Sequence, residues 1–219
     1  MGLIVGAVVV VVLGGGGAWL LTQPVAAPKV VGAAAAPANA ADPDGFLEAT
    51  DGQVKAYEAD LAALGLGEAF SAGAAAANVD EARQKVGASQ VLVGQYRRKT
   101  ADHLRDARLN ANRRAGGGPE GKAAIAAFDA AHADALKLNS RRWELEAKVA
   151  EERAYVAQTL MVMDGHFHVA GDNVVADFPG DRQRLASDMA QVRAAEARLK
   201  AFKADPSLDG GPPTQARLK

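Results

Sequence analysis

The hydrophobic positions divide the chain into an apolar opening run, a proline-rich stretch and a long region with helical periodicity. Residues 3–21 carry no charged side chain. About 20 helical residues rise through the roughly 30 Å hydrocarbon core of a bilayer. The run therefore predicts a transmembrane anchor over residues 1–23, with Trp19 near the headgroup level. A cleaved signal peptide is the alternative, but secretory signals usually begin with basic residues, and no Lys or Arg precedes this run.

Small residues line one face of the predicted anchor. They are Gly2, Gly6, Gly14 and Ala18, and Val10 interrupts the series. Small residues let two membrane helices approach closely, so the stripe favours self-association of the anchor. The alternative is that glycine is simply common in membrane helices.

Few basic residues flank the predicted anchor, so they determine its expected orientation only weakly. Positive charges near a membrane helix favour the cytoplasmic side. The short N-terminal side has none, and the longer side has only Lys29 before Lys55. This bias is weak, but an Ala- and Pro-rich linker with few charged residues and the absence of Cys both suit the cell envelope. We expect a single-pass protein of the plasma (inner) membrane whose helical domain is extracytoplasmic.

Beyond the anchor, composition separates a linker, a helical domain and a tail. Residues 24–44 are rich in Ala and Pro. Because proline fixes φ and lacks an amide hydrogen, this stretch predicts an extended, semi-rigid linker. Residues 45–204 carry the helical periodicity and predict a helical bundle domain. Asp205-Pro206 ends that pattern, and residues 205–219 predict a disordered tail.

Four long helices are predicted within the helical domain. In each, apolar residues recur every three or four positions, which is the spacing of one helix face. The predicted bounds are Phe46–Leu64, Val79 to near Ala115, Pro119 to about Met163, and Pro179–Ala204. The sequence therefore predicts an all-α fold, an elongated three- or four-helix bundle with coiled-coil character, whose two longest helices form an antiparallel hairpin. Gly87 and Gly94 lie seven residues apart and predict close packing on one face.

Local signals set the ends of the two longest predicted helices. Asn78, with Glu81 three residues later, resembles a capping box. Residues 116–119 read Gly-Gly-Gly-Pro and cannot continue a helix. Residues 116–122 also match the G-x-x-x-x-G-K pattern of phosphate loops. However, Ala123 occupies the position where Ser or Thr would reach Mg²⁺, and a helix precedes the pattern where a phosphate loop needs a β-strand. We interpret this stretch as an interhelical turn.

The helical pattern stops between the last two predicted helices. Gly171-Asp172-Asn173 is a turn signal, and short apolar runs flank it. The pattern predicts a small β-hairpin at residues 166–178. The same stretch carries the strongest candidate for a ligand site in the sequence.

Two histidines in this stretch suggest a metal site. His166 and His168 share a face if the chain is extended, and Asp164 is close in sequence. Neutral imidazoles and a carboxylate bind Zn²⁺ or a similar ion, so these three residues are candidate ligands. The alternative is a polar connector whose Phe167 and Phe178 cover the end of the bundle. His103 and His132 stand alone on predicted helices and are expected at a surface or interface.

Charge is segregated along the chain although its net charge is only −1. Residues 42–81 hold nine acidic side chains and one basic one, and residues 82–115 hold nine basic and two acidic ones. In one interpretation, the acidic first helix pairs with the basic second helix. In the other, a basic patch binds anionic lipid or an acidic partner. The members of that patch are Arg97, Arg98, Lys99, Arg105 and Arg108. The near-zero net charge gives no support to nucleic acid as a partner, and Tyr96 alone is interleaved with the basic residues as an aromatic that could stack on bases.

The candidate chemistry is sparse. The chain has no Cys, which excludes disulfides, thiolate metal sites and Cys nucleophiles. We expect no enzyme activity and no cofactor. The leading hypothesis is a membrane-anchored helical scaffold or interaction protein that acts by self-association or by binding a protein partner at the cell envelope. The alternative is a sensor module for a small ligand or metal, with its site near His166 to Phe178.

Overall fold

A computed structural model of the chain describes residue 42, residues 45–67 and residues 69–208. Of these residues 81% are helical, in six α-helices, and one two-stranded antiparallel sheet accompanies them. The elements are α1 Phe46–Ala63, α2 Ala72–Ala77, α3 Val79–Arg114, α4 Gly118–Ala131, α5 Ala133–Val162, β1 Phe167–Ala170, β2 Asn173–Ala176 and α6 Pro179–Ala204, followed by a 3-10 turn at Pro206–Leu208. The predicted helical bundle with a small hairpin is confirmed.

The predicted anchor, residues 1–23, lies outside the described residues, as do the small residues Gly2, Gly6, Gly14 and Ala18. Within the described part of the chain, no helix combines the length and the apolarity that a membrane span needs.

The start of α3 follows from its capping residues. The Glu81 amide donates to Asn78 Oδ1 at 3.2 Å, and Asn78 Nδ2 donates to Glu81 Oε2 at 2.9 Å. This is the reciprocal arrangement of a capping box, as the sequence predicts. Beyond Arg114, the three glycines at 116–118 have φ between 61° and 81°, a region that only glycine enters freely. The chain turns there and Pro119 opens α4, where its missing amide hydrogen is not needed.

The predicted helix from Pro119 to about Met163 is divided at His132 into α4 and α5. The His132 ring is buried, and its Nδ1 lies 2.8 Å from the Phe128 carbonyl oxygen, which also accepts from the His132 amide. The ring stands against Phe128 and Phe46, and its Nε2 lies 3.6 Å from Asp42 Oδ1. His132 is therefore an interface residue and not a surface one, which is one of the two positions expected for it. Contacts with the distant α1 region hold it in the core.

Helix α1 begins where Asp42 caps it from upstream. The carboxylate of this buried residue accepts from the Phe46 amide at 2.9 Å and from the Leu47 amide at 2.8 Å. These bonds satisfy two of the amide groups that a helix start leaves without partners. A negative charge is also favourable at that end of a helix.

The helices form a bundle in which α3 packs on α5, α1 packs on α3, and α6 packs on α5. Aromatic rings fill the middle of the bundle. Tyr57 of α1 meets Trp143 of α5 at a ring distance of 5.3 Å and Tyr96 of α3 at 5.7 Å. Helix α6 buries a stripe of apolar residues made of Leu185, Val192, Leu199 and Phe202.

The strands form a hairpin in which Phe167 pairs with Ala176 and Ala170 pairs with Asn173. Helix α2 lies directly against its turn. The Gly73 amide donates to the Asp172 carbonyl, and a Cβ at Gly73 would lie 2.6 Å from the Gly171 carbonyl oxygen. Only glycine permits this approach. By contrast, a Cβ at Gly87 or Gly94 would meet nothing within 4 Å, so the predicted close packing at those two positions is wrong.

Candidate ligand cavity

The residues predicted as metal ligands lie around the hairpin. The His166 ring packs against Phe178 with ring centres 5.2 Å apart, and His168 Nδ1 lies 3.8 Å from Asp177 Oδ1. Asp164 follows the end of α5 in a left-handed conformation. In the part of the chain that the structure describes, no three His, Asp or Glu side chains are grouped to hold a metal ion. The structure therefore does not bring Asp164, His166 and His168 together as a ligand set.

The predicted basic patch lies on α3, and acidic residues neutralise part of it. Four of its members are exposed, namely Arg97, Arg98, Lys99 and Arg105. Arg105 pairs with Asp102 of its own helix at 3.0 Å. Arg108 is half-buried and donates two hydrogen bonds to Asp129 of α4, at 2.8 and 3.0 Å. Arg97, Arg98 and Lys99 remain exposed and form no ion pair with a described residue, and Lys99 Nζ lies 4.0 Å from the centre of the Tyr96 ring.

The polar contacts of α1 are divided among its neighbours. Towards α3, Tyr96 Oη donates to Asp60 Oδ2 at 2.7 Å. The ion pairs of Glu58 run to α5 and α6 instead, where Arg142 Nη2 lies at 2.7 Å and Lys203 Nζ at 3.1 Å. The acidic first helix thus uses Glu58 to reach helices other than the basic α3.

A cavity of about 470 Å³ lies between α1, α5 and α6, with one side formed by the connector between α1 and α2. It exists because several residues around it have small side chains or none: Gly67, Ala69, Ser89, Ala150 and Ala197. Its apolar walls are formed by Leu61, Leu66, Val149 and Leu199. A volume of this size falls within the range of small-molecule sites in proteins, roughly 300–1,000 Å³.

A buried carboxylate borders the cavity on the α5 side. Glu146 is 2% exposed, and its Oε2 accepts from Tyr57 Oη at 3.2 Å. Its Oε1 lies 2.9 Å from Lys203 Nζ, but no hydrogen bond to Oε1 is well aligned, so this contact is an ion pair only. Lys203 also pairs with Glu58, and it therefore joins α6 to both α5 and α1.

A buried arginine borders the cavity further along α5. Arg153 is 5% exposed, and its Nε and Nη2 donate to Glu196 Oε1 of α6 at 3.0 and 2.7 Å. Its Nη1 donates to the Leu66 carbonyl oxygen at 2.7 Å, and Glu196 Oε1 accepts from the Phe70 amide at 3.0 Å. Arg153 and Glu196 together link the connector to α5 and α6 along this wall of the cavity.

Burial and charge shift the proton affinities of groups near the cavity. Burial, together with the Glu146 carboxylate, raises the pKa of Tyr57 far above its ordinary value. Burial and the bond to Asp60 raise the pKa of Tyr96 to about 12. Burial alone would raise the pKa of Glu58, but Lys203 and Arg142 outweigh it and lower that pKa. Tyr57 is therefore a fixed, neutral hydrogen-bond donor.

The face of α6 that lines the cavity is mainly cationic. Its members Arg193, Glu196, Ala197, Lys200 and Lys203 recur at three- and four-residue steps. With Arg153 and Glu146 of α5, four cationic side chains and two carboxylates line the described part of the cavity. Glu68, which follows Gly67 in the sequence, lies outside the described residues.

Sequence reasoning missed this cavity. The available signal was in α5, where Glu146 and Arg153 occupy the same face as the apolar residues Val149 and Val156. Charged residues on a buried stripe require partners, because an isolated buried charge is very costly. That signal indicates a polar feature inside the bundle, although it does not locate the partners on α1 and α6.

Comparisons with protein-family models, with curated proteins and with solved structures found no match for this chain.

Proposed function

We propose that the helical domain is a binding module that holds a small organic ligand in the cavity between α1, α5 and α6. The observation that carries this proposal is a cavity of about 470 Å³ with apolar walls and buried, fixed charges at its edge. Sites for small molecules typically combine mostly apolar walls with a few positioned polar groups. Here Glu146 and Arg153 are such groups, since each is held by side chains from other elements.

Binding without catalysis is the better supported chemistry. A general acid or base needs a pKa near the working pH. The raised pKa of Tyr57 keeps its hydroxyl protonated, and its proton already points to Glu146. The Arg153 guanidinium is engaged by Glu196 and by a backbone carbonyl. We therefore propose a non-enzymatic module.

The membrane context of this module is also a proposal. The apolar run at residues 1–23 and the linker at residues 24–44 support a domain held near the plasma membrane on its outer face. In this arrangement the anchor is the contact with the membrane. We do not propose nucleic acid as a partner.

A scaffold that docks a protein partner or a second copy is the second candidate function. It is favoured by large apolar side chains that stay exposed near the hairpin end of the bundle: Met161, Val162, Val169 and Phe178. Exposed apolar surface of this kind is a common feature of protein interaction sites.

Filling the cavity tests the proposed function. Ala197 lines the cavity and is exposed, so Ala197→Trp occupies the space with little disturbance of the core. The full chain in lipid nanodiscs is screened against small organic compounds by thermal unfolding. We expect compounds that raise the melting temperature of the wild type and leave that of Ala197→Trp unchanged. If every stabilising compound acts equally on both proteins, the cavity is not the binding site.

A further inference from the structure

We propose that the ligand is an organic monoanion with an apolar body, and that Arg193 and Lys200 of α6 bind its charged group. This inference rests on the proposed function, because it names the chemical class that the same cavity takes. It follows from which charges of the cavity are already neutralised and which are not.

Two of the four cationic side chains around the cavity are already paired. Arg153 is held by Glu196, and Lys203 lies between Glu58 and Glu146. Arg193 and Lys200 are exposed and form no ion pair in the described part of the chain. These two are therefore the cations that a ligand can neutralise.

The positions of Arg193 and Lys200 suit one shared anionic group. They lie seven residues apart, which is two helical turns or about 10 Å along the same face of α6. Ala197 lies between them and leaves space above the helix. The long side chains of Arg and Lys can converge over this space from both ends. A guanidinium also offers paired donors to a carboxylate.

The buried carboxylate restricts the ligand to one anionic group, at the Arg193 and Lys200 end of the cavity. Glu146 lies further along the cavity, level with Lys203, and is almost completely removed from water. A second anionic group near it would meet a like charge in a poorly solvated place, which is unfavourable. The ligand body in that direction must therefore be uncharged. Val149 and Leu199 provide an apolar surface for it.

A series of probes with one apolar body and three charges tests this inference. Hexanoate, hexanol and hexylammonium are titrated into the full chain in nanodiscs, and binding is followed by ligand-observed NMR. The same titrations with Ala197→Trp, whose cavity is filled, measure how much of each probe enters the lipid, and this signal is subtracted. We expect hexanoate to bind about tenfold more tightly than hexylammonium, because its carboxylate can form partly exposed ion pairs with Arg193 and Lys200. The double variant R193Q/K200Q should weaken hexanoate by about the same factor and leave hexanol unchanged.

The matched control is R97Q/R98Q, which removes two exposed positive charges from α3, away from the cavity. It should leave hexanoate binding unchanged. The monoanion assignment is overturned if hexylammonium binds as well as hexanoate, or if both double variants weaken hexanoate binding equally. In that case the cavity still stands as a binding site if the wild type binds hexanol and Ala197→Trp does not. If no probe binds the wild type better than Ala197→Trp, the proposed function itself fails.

Discussion

Replacing Arg153 by Met removes the buried cation that holds α5, α6 and the connector together. The guanidinium donates to Glu196 and to the Leu66 carbonyl oxygen, and it is 5% exposed. Met preserves most of the apolar stem, so little packing is lost. The substitution leaves the Glu196 carboxylate without its cation and the Leu66 carbonyl without its charged donor. It therefore measures the polar contribution of this contact with little added cavity cost.

The expected loss follows from the burial of the pair. Removing one partner of a buried ion pair costs about 3–5 kcal/mol. The Glu196 side chain is 18% exposed, so water reaches it in the variant. We therefore expect a loss of about 3 kcal/mol, at the lower end of that range. For a domain of this size, such a loss lowers the melting temperature by about 6–12 °C.

Thermal unfolding of the full chain in nanodiscs, followed by circular dichroism, measures this change. The control is Arg105→Met, which removes an arginine whose side chain is 64% exposed and whose ion pair to Asp102 is equally exposed. It should change stability by less than about 0.5 kcal/mol. The double variant R153M/E196Q should recover at least about 1 kcal/mol, because it removes the unpaired carboxylate and Gln still accepts from the Phe70 amide.

Two outcomes would refute the reasoning about Arg153. One is an Arg153→Met protein whose melting temperature matches that of Arg105→Met. The other is a double variant that is no more stable than Arg153→Met alone, since the loss would then not come from an unpaired buried charge.

Three further substitutions test the packing and the ion pairs. Gly73→Ala should destabilise the protein by about 1–2 kcal/mol, because the added Cβ would lie 2.6 Å from the Gly171 carbonyl oxygen. Gly87→Ala faces open space and should stabilise the protein by about 0.5 kcal/mol. Thermal unfolding measures both changes. The pKa of Glu58 is lowered from 4.5, so its ion pairs stabilise the folded state fully above that pH and are lost as the pH falls through the folded-state value. Near pH 7 the melting temperature of Glu58→Gln should therefore lie about 3 °C or less below that of the wild type, because the Glu58 side chain is 44% exposed. Below pH 4.5 the two melting temperatures should converge. A difference that widens in acid would contradict this assignment.

The sequence predicts those parts of the fold that neighbouring residues determine. The cap of α3 depends on Asn78 and Glu81, three residues apart, and both hydrogen bonds form. The glycines at 116–118 and the turn at 171–173 also act locally, and both turns are present. In each case contacts within a few residues fix the conformation, so the local sequence is enough to predict it.

The division of α4 from α5 could not be predicted in this way. Nothing in the spacing of apolar residues near His132 interrupts the helix pattern. The residue is fixed by the Phe46 ring and by the Asp42 carboxylate, about ninety positions earlier in the chain. The cavity escaped prediction for the same reason. Glu146 is visible as a charge on a buried stripe, but its partners Tyr57 and Lys203 come from helices before and after it.

The alanine- and glycine-rich composition of the helices favours both the cavity and its charged walls. Alanine and glycine bury little apolar area, so the faces of α1 and α6 at positions such as Ala197 gain little by closing on each other. The ion pair between Lys203 and Glu58 bridges these two helices. Charged side chains long enough to span a gap can link two helices without filling the space behind the link. At this level the bundle combines an aromatic core, in which Tyr57 packs on Trp143, with polar links around an open volume, and it is this combination that we propose as a ligand site.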